Sequence, residues 1–180
     1  YDHPDQVLRL DRAVVQAGAD IILTNTFGGT SLRMRESRFR NRVQELNRKA
    51  VELAHQNARL RKGVLVGGSM GPTGLMFPPL GALKYEEAVA AYADQAATLA
   101  EGGVDLLVIE TQFALEEAKA AFEGARQACS LPVVVSFSFD RGMRTMMGVS
   151  PAQVVETFKP LGAAAIGANC GTTLENMEKV

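Results

Sequence analysis

The feature that most constrains this chain is the alternation of two hydrophobic periodicities. Short apolar runs, most of them rich in β-branched residues, stand at Ile21–Thr26, Val64–Ser69, Leu106–Glu110, Val133–Ser138 and Ala164–Asn169. Between them lie longer segments of helical period, roughly 41–61, 85–101, 115–129 and 151–161. A further helix precedes the first run and another begins after the last. Runs that are apolar on both faces are expected of strands buried in a parallel sheet. Strand, crossover helix and parallel strand in repetition is an α/β architecture. The strands start about every 36 residues, so five such units fit in 180 residues.

Local signals mark the same boundaries. Ser150-Pro151-Ala152-Gln153 places Ser at an N-cap, Pro at the first helical position and Gln three residues after the cap. Thr172 followed by Glu175 repeats this pattern at the last helix. Gly18, Gly102 and Gly162 stand just before strands, where helix C-caps are expected.

Composition narrows the class further. With 47% hydrophobic and 22% charged residues, the chain reads as one soluble domain without linkers or low-complexity segments. A complete (β/α)8 barrel runs to about 250 residues, so 180 residues fall short of one. No run of about 18 apolar residues is present, and Tyr1-Asp2-His3-Pro4-Asp5 lacks the features of a signal peptide. The absence of an initiating Met suggests a segment of a longer chain. Two cysteines, Cys129 and Cys170, suit a reducing cytoplasm.

Charge is uneven along the chain. Residues 33–62 carry ten Lys/Arg against three Asp/Glu, although the net charge is −1. Arg33, Arg35, Arg38, Arg40 and Arg42 could form a nucleic-acid patch, but no recognition motif accompanies them, and a solvated loop and helix face is the preferred reading. The stretch Gly67-Gly68-Ser69-Met70-Gly71-Pro72-Thr73-Gly74 fits neither dinucleotide nor P-loop spacing. Pro72 and Pro78-Pro79 delay the following helix, so a shaped substrate loop is preferred over a phosphate cradle.

Sites in parallel α/β folds lie at the carboxyl ends of the strands. Polar residues gather there in all five units: Thr24-Asn25-Thr26, Ser69, Glu110-Thr111-Gln112, Ser136 with Ser138, and Asn169-Cys170. Thr26, Thr111 and Ser138 could equally be helix caps. Glu110 ends the apolar run Leu106-Leu107-Val108-Ile109, where a carboxylate needs a cation such as a ligand ammonium or an Arg. Cys170 precedes Gly171 and a helix N-terminus, a setting that favours thiolate, with an ordinary buried cysteine as the alternative. Cys129, at a helix end, reads as a bystander. His3 and His55 fall in predicted helices, leaving no His-based metal cluster or Ser-His-Asp triad.

The segment from Gly18 to Phe27, GADIILTNTF, resembles the second-strand motif of the homocysteine S-methyltransferase family. Further matches follow in order: Glu45-Leu46-Asn47, Gly71-Pro72-Thr73-Gly74, Gln95, Gly103-Val104-Asp105, Ile109-Glu110-Thr111, Pro132 to Phe137, and Ala168-Asn169-Cys170. The resemblance spans essentially the whole chain. It implies a (β/α)8 TIM barrel of which residues 1–180 hold units two to six, about five parallel strands with their crossover helices. They would form a homocysteine-binding barrel domain truncated at both ends.

The same resemblance implies a zinc ion held by three cysteine thiolates. Cys170 matches the one after strand six, and the adjacent pair near strand eight has no counterpart. Cys170 is thus the expected catalytic and metal-ligating residue. Glu110 matches the carboxylate that holds the homocysteine amino group, and Asn25, Ser69, Ser136 and Asn169 are expected around the same pocket.

The implied reaction is zinc-dependent methyl transfer to the sulfur of homocysteine, giving methionine. Zinc would lower the thiol pKa so that a thiolate exists at neutral pH. The donor, methylcobalamin among the possibilities, would come from segments or a corrinoid domain outside this chain. No nucleic-acid or membrane partner is expected. With one ligand of three, the chain alone is expected to be inactive and to bind zinc weakly. Two rivals remain: another TIM-barrel enzyme using Glu110 and Cys170 on a small carbonyl substrate, and a non-catalytic binding module derived from the barrel.

Overall fold

The computed structural model describes residues 2–171 and 173–180. Five strands form one sheet: β1 (Ile21–Leu23), β2 (Leu65–Met70), β3 (Leu106–Gln112), β4 (Val133–Phe137) and β5 (Ala165–Ala168). Their order in space is their order in sequence, and every neighbouring pair is parallel. The helices are α1 (Pro4–Gln16), α2 (Ser31–Met34), α3 (Val43–Ala58), α4 (Tyr85–Glu101), α5 (Leu115–Ala128), α6 (Pro151–Phe158) and α7 (Leu174–Glu178). A doubly wound sheet reverses its strand order at a switch point, whereas a barrel adds each strand on the same side. The order seen here is that of a partial (β/α)8 barrel.

One face of the sheet carries the core. Ile22, Val66, Met70, Leu107, Ile109, Val133, Val135 and Phe137 are buried in the cluster that also holds helix residues Val51, Tyr92, Leu99, Phe122 and Phe158. Between α4 and α5 the packing is backbone against backbone. A Cβ on Gly124 would sit 2.6 Å from the Val89 carbonyl oxygen and 2.8 Å from the Ala93 nitrogen.

Burial on both strand faces, as the apolar runs suggest, is corrected at the other face. Ile21, Leu23 and Leu65 are 44%, 39% and 42% exposed. Among the described residues the sheet does not close, so side chains on the concave face have no strand opposite them.

Local chemistry explains several element ends. Ser150 and Gln153 form a capping box: the Gln153 N–H donates to Ser150 Oγ, and the Ser150 N–H donates to Gln153 Oε1 at 2.9 Å. Thr172 lies outside the described residues, and α7 is capped by Thr173, whose Oγ1 accepts the Asn176 N–H at 3.1 Å. Gly18 and Gly162 adopt left-handed φ of 97° and 81°. Gly102 keeps helical geometry, and Gly103 takes the left-handed position after α4 with φ 90°.

Near the start of the chain three elements differ from expectation. The first strand ends at Leu23, because the Thr26 N–H turns back to the Thr24 carbonyl at 2.8 Å. The one-turn helix α2, capped by Thr30, interrupts the Arg-rich stretch, and α3 is shorter than 41–61. Within that stretch Arg38 pairs with Asp2, Arg35 with Glu36 and Arg42 with Glu45, all on the surface. No helix among the described residues is long and apolar enough to cross a membrane.

Candidate functional site

The carboxyl ends of β2 to β5 bring most of the expected residues together. Residues 69 and 136 lie on the concave face, because strand side chains alternate and their neighbours Met70 and Phe137 point into the core. Ser69 donates from Oγ to Glu110 Oε1 at 2.6 Å. Glu110 is half-buried, and among the described residues no donor reaches its Oε2 and no cation pairs with it. Ser136 donates to Asn169 Oδ1 at 2.5 Å, and Asn169 Nδ2 donates to Thr111 Oγ1 at 2.7 Å and to Cys170 Sγ at 3.3 Å.

A break in the β3–β4 ladder shapes this rim. Ile109 pairs with Val135 but Gln112 pairs with Phe137, so β3 holds one residue more than β4 over this interval. A bulge of this kind re-aims side chains at a strand end. Thr111 occupies it with φ 58°, Glu110 stays on the concave side and Gln112 is fully buried. Cys170 has φ 59° and is exposed, which removes the reading of an ordinary buried cysteine.

The first strand contributes differently. Thr24 and Thr26 share a hydrogen bond of 2.6 Å; Thr26 donates to the Ser69 carbonyl, and the Ser69 N–H donates to Thr24 Oγ1. These hydroxyls tie β1 to β2, so Thr26 is neither a helix cap nor a free ligand group. Asn25 is exposed and lines a cavity of about 860 Å³ with Phe27, Met34 and Leu46. No hydrogen bond joins Asn25 to the Ser69–Glu110 pair among the described residues. Cys129 lies at the C-terminal end of α5, and His55 Nε2 sits 3.1 Å from the Gly103 carbonyl.

Two buried polar groups stand behind the rim; the sequence points to Gln95 only as a family match and does not single out Glu117. Glu117, in the first turn of α5, is 1% exposed. Its Oε1 accepts the Thr73 N–H at 2.7 Å, the Thr73 hydroxyl at 2.6 Å and the Tyr92 hydroxyl at 3.1 Å. Those bonds and the helix N-terminus stabilise its charge in place of a cation. Burial, and then the charge of Glu117, push the Tyr92 phenol well above its ordinary pKa. Gln95 on α4 donates to the Thr26 carbonyl at 2.8 Å. Each stands on the small-residue, core-facing stripe of its helix, beside Ala118 and Ala121 or Ala91 and Ala96. A polar residue in such a stripe was the available signal.

Among the described residues no three His, Cys, Asp or Glu side chains gather to hold a metal ion. A catalytic zinc ion takes three protein ligands, so the donor set here does not fit a zinc site.

A profile of the family described as homocysteine S-methyltransferase matches residues 1–180. The chain belongs to the homocysteine S-methyltransferase family. Methionine synthase of Mycobacterium leprae (strain TN) is 30% identical over 180 positions, covering 94% of this chain and 15% of that protein. Methionine synthase of Mycobacterium tuberculosis (strain ATCC 25618 / H37Rv) is 31% identical over 179 positions, with the same shares. The metallated form of the homocysteine methyltransferase MmuM from Escherichia coli superposes with a TM-score of 0.81 at 23% identity. That match covers 97% of this chain and 65% of MmuM, and at such identity it speaks for the fold. This homocysteine S-methyltransferase family chain therefore spans about a seventh of the length of the methionine synthases it matches. Within the family fold, its polar rim occupies the strand ends where barrel enzymes place their chemistry.

Proposed function

We propose that this chain is part of a barrel that binds homocysteine and presents its sulfur for methylation, with methionine as the product. One observation carries the reading. The half-buried Glu110 carboxylate is held at Oε1 by Ser69 and lacks a cation among the described residues. A carboxylate so placed favours a positive partner, and the α-ammonium of an amino acid supplies one. Family membership then points to homocysteine as that amino acid.

In this reading Glu110 fixes the amino end of the substrate, and Ser69 keeps the carboxylate oriented. The exposed Cys170 marks the part of the rim where the sulfur chemistry occurs. Asn25 lines a separate cavity and takes no part in this contact. Zinc, if it serves this site, needs ligands from beyond residues 1–180, and so does the recognition of a donor such as methylcobalamin. The 180-residue chain alone should accordingly bind zinc weakly and transfer no methyl group. Two cysteines without a disulfide suit a reducing cytoplasm.

Calorimetric titration of L-homocysteine into the wild-type chain and Glu110→Gln tests the proposal. Loss of a charge-assisted contact predicts an affinity lower by about ten- to a hundredfold. N-acetyl-homocysteine, which lacks the ammonium, should bind as poorly to the wild type. Equal affinity of the two proteins for homocysteine, or of the wild type for the two ligands, overturns the assignment.

A further inference from the structure

Thr111 and Cys170 are the two non-glycine residues with positive φ among the described residues, at 58° and 59°. Left-handed geometry is strained for an L-residue, and most of all for a β-branched one, so it persists only where surroundings impose it. A single side chain touches both. A carboxamide offers two N–H donors and two lone pairs, and Asn169 has all four committed. Oδ1 accepts from Ser136 Oγ at 2.5 Å and from the Thr111 N–H at 3.1 Å. Nδ2 donates to Thr111 Oγ1 at 2.7 Å and to Cys170 Sγ at 3.3 Å.

We infer that Asn169 is a positioning residue rather than a substrate contact: it clamps the ends of β3, β4 and β5 together and holds Thr111 and Cys170 in their left-handed conformations. The topology supports this role. β4 lies between β3 and β5, so a side chain leaving β5 must cross the β4 end at Ser136 to reach Thr111. Both the oxygen and the nitrogen of the amide bond Thr111, which leaves the carboxamide in one orientation. With no hydrogen-bonding position to spare, Asn169 meets a ligand only by releasing the clamp. Recognition of the amino acid then falls to Glu110, whose Oε2 meets no donor among the described residues. This refines the site proposed above and rests on that reading for the identity of the ligand alone.

The test is a double-mutant cycle on the 180-residue chain, joined to side-chain amide NMR. Asn169→Ala should raise the unfolding equilibrium constant by about tenfold or more in the wild-type background. With Thr111→Gly, which adopts the left-handed turn freely, the same change should raise it by about threefold or less. Equal factors in the two backgrounds overturn the clamp.

NMR separates positioning from binding. Cys170→Ala should shift the Asn169 side-chain amide pair, while saturating L-homocysteine moves the Glu110 carboxyl signal and leaves that pair in place. A homocysteine-induced shift at Asn169 as large as that at Glu110 overturns the positioning role. If homocysteine moves neither signal, the homocysteine reading falls, and the cycle still decides the role of Asn169.

Discussion

Replacing Tyr92 by Phe isolates one buried hydrogen bond and one buried proton in the same experiment. The ring is fully buried, and its hydroxyl lies 3.1 Å from both Glu117 Oε1 and the Gly71 carbonyl. Phe keeps the ring volume, so no large cavity opens, and the loss is that of a donor to a charged acceptor, about 1.5–3 kcal/mol. With a urea m-value of about 1–3 kcal/mol/M, the unfolding midpoint at neutral pH should fall by roughly 1 M.

The pH dependence supplies the second half. The folded protein raises the phenol pKa well above 10.0, first by burial and then through the charge of Glu117. A group whose folded pKa is raised contributes stability in full below its unfolded pKa and loses it as pH climbs above that value. The wild type should therefore lose up to about 1.4 kcal/mol per pH unit above pH 10 through this residue, and Tyr92→Phe should lose none of it. Tyr85, whose pKa is pushed up to about 12, chiefly by burial, is present in both proteins and cancels in the difference. Urea titrations followed by circular dichroism from neutral pH to about pH 11 give the two curves. They should run apart by a constant gap up to about pH 9 and converge above 10. Coincident midpoints at neutral pH, or curves that stay parallel to the alkaline end, refute the reasoning.

Two further predictions concern stability. Gly29→Ala should destabilise by about 1–3 kcal/mol in thermal or urea unfolding, since its Cβ would press on Asn47 Oδ1 and come within 2.7 Å of Gln95 Nε2 and 2.8 Å of the Thr26 carbonyl. Ser150→Ala removes the cap of α6 and should cost about 1 kcal/mol, with homocysteine affinity unchanged by calorimetry.

The strand ends at Ser69, Glu110, Ser136 and Asn169 were legible in sequence because a polar residue closing an apolar strand is a local pattern. What those residues do to one another was not. Ser136 and Asn169 turn out to bond each other, Thr111 sits in a bulge that no local motif announces, and Asn25 faces a separate cavity. Glu117 and Gln95 carry their signal in one misplaced polar letter on an otherwise small-residue stripe. That letter does not say whether the group is buried and satisfied or exposed.

The amino-acid sequence alone determined the class of fold, the number of βα units and the family. Those follow from hydrophobic period, cap chemistry and ordered motifs, each a property of residues close together along the chain. The tertiary structure decided the roles. Asn169 is 58 positions from Thr111 and 33 from Ser136, and only curling parallel strands in sequence order brings these ends within hydrogen-bond reach. Among the described residues the same geometry leaves Glu110 with one oxygen held and one open, because charge satisfaction depends on neighbours in space, which local sequence patterns do not specify.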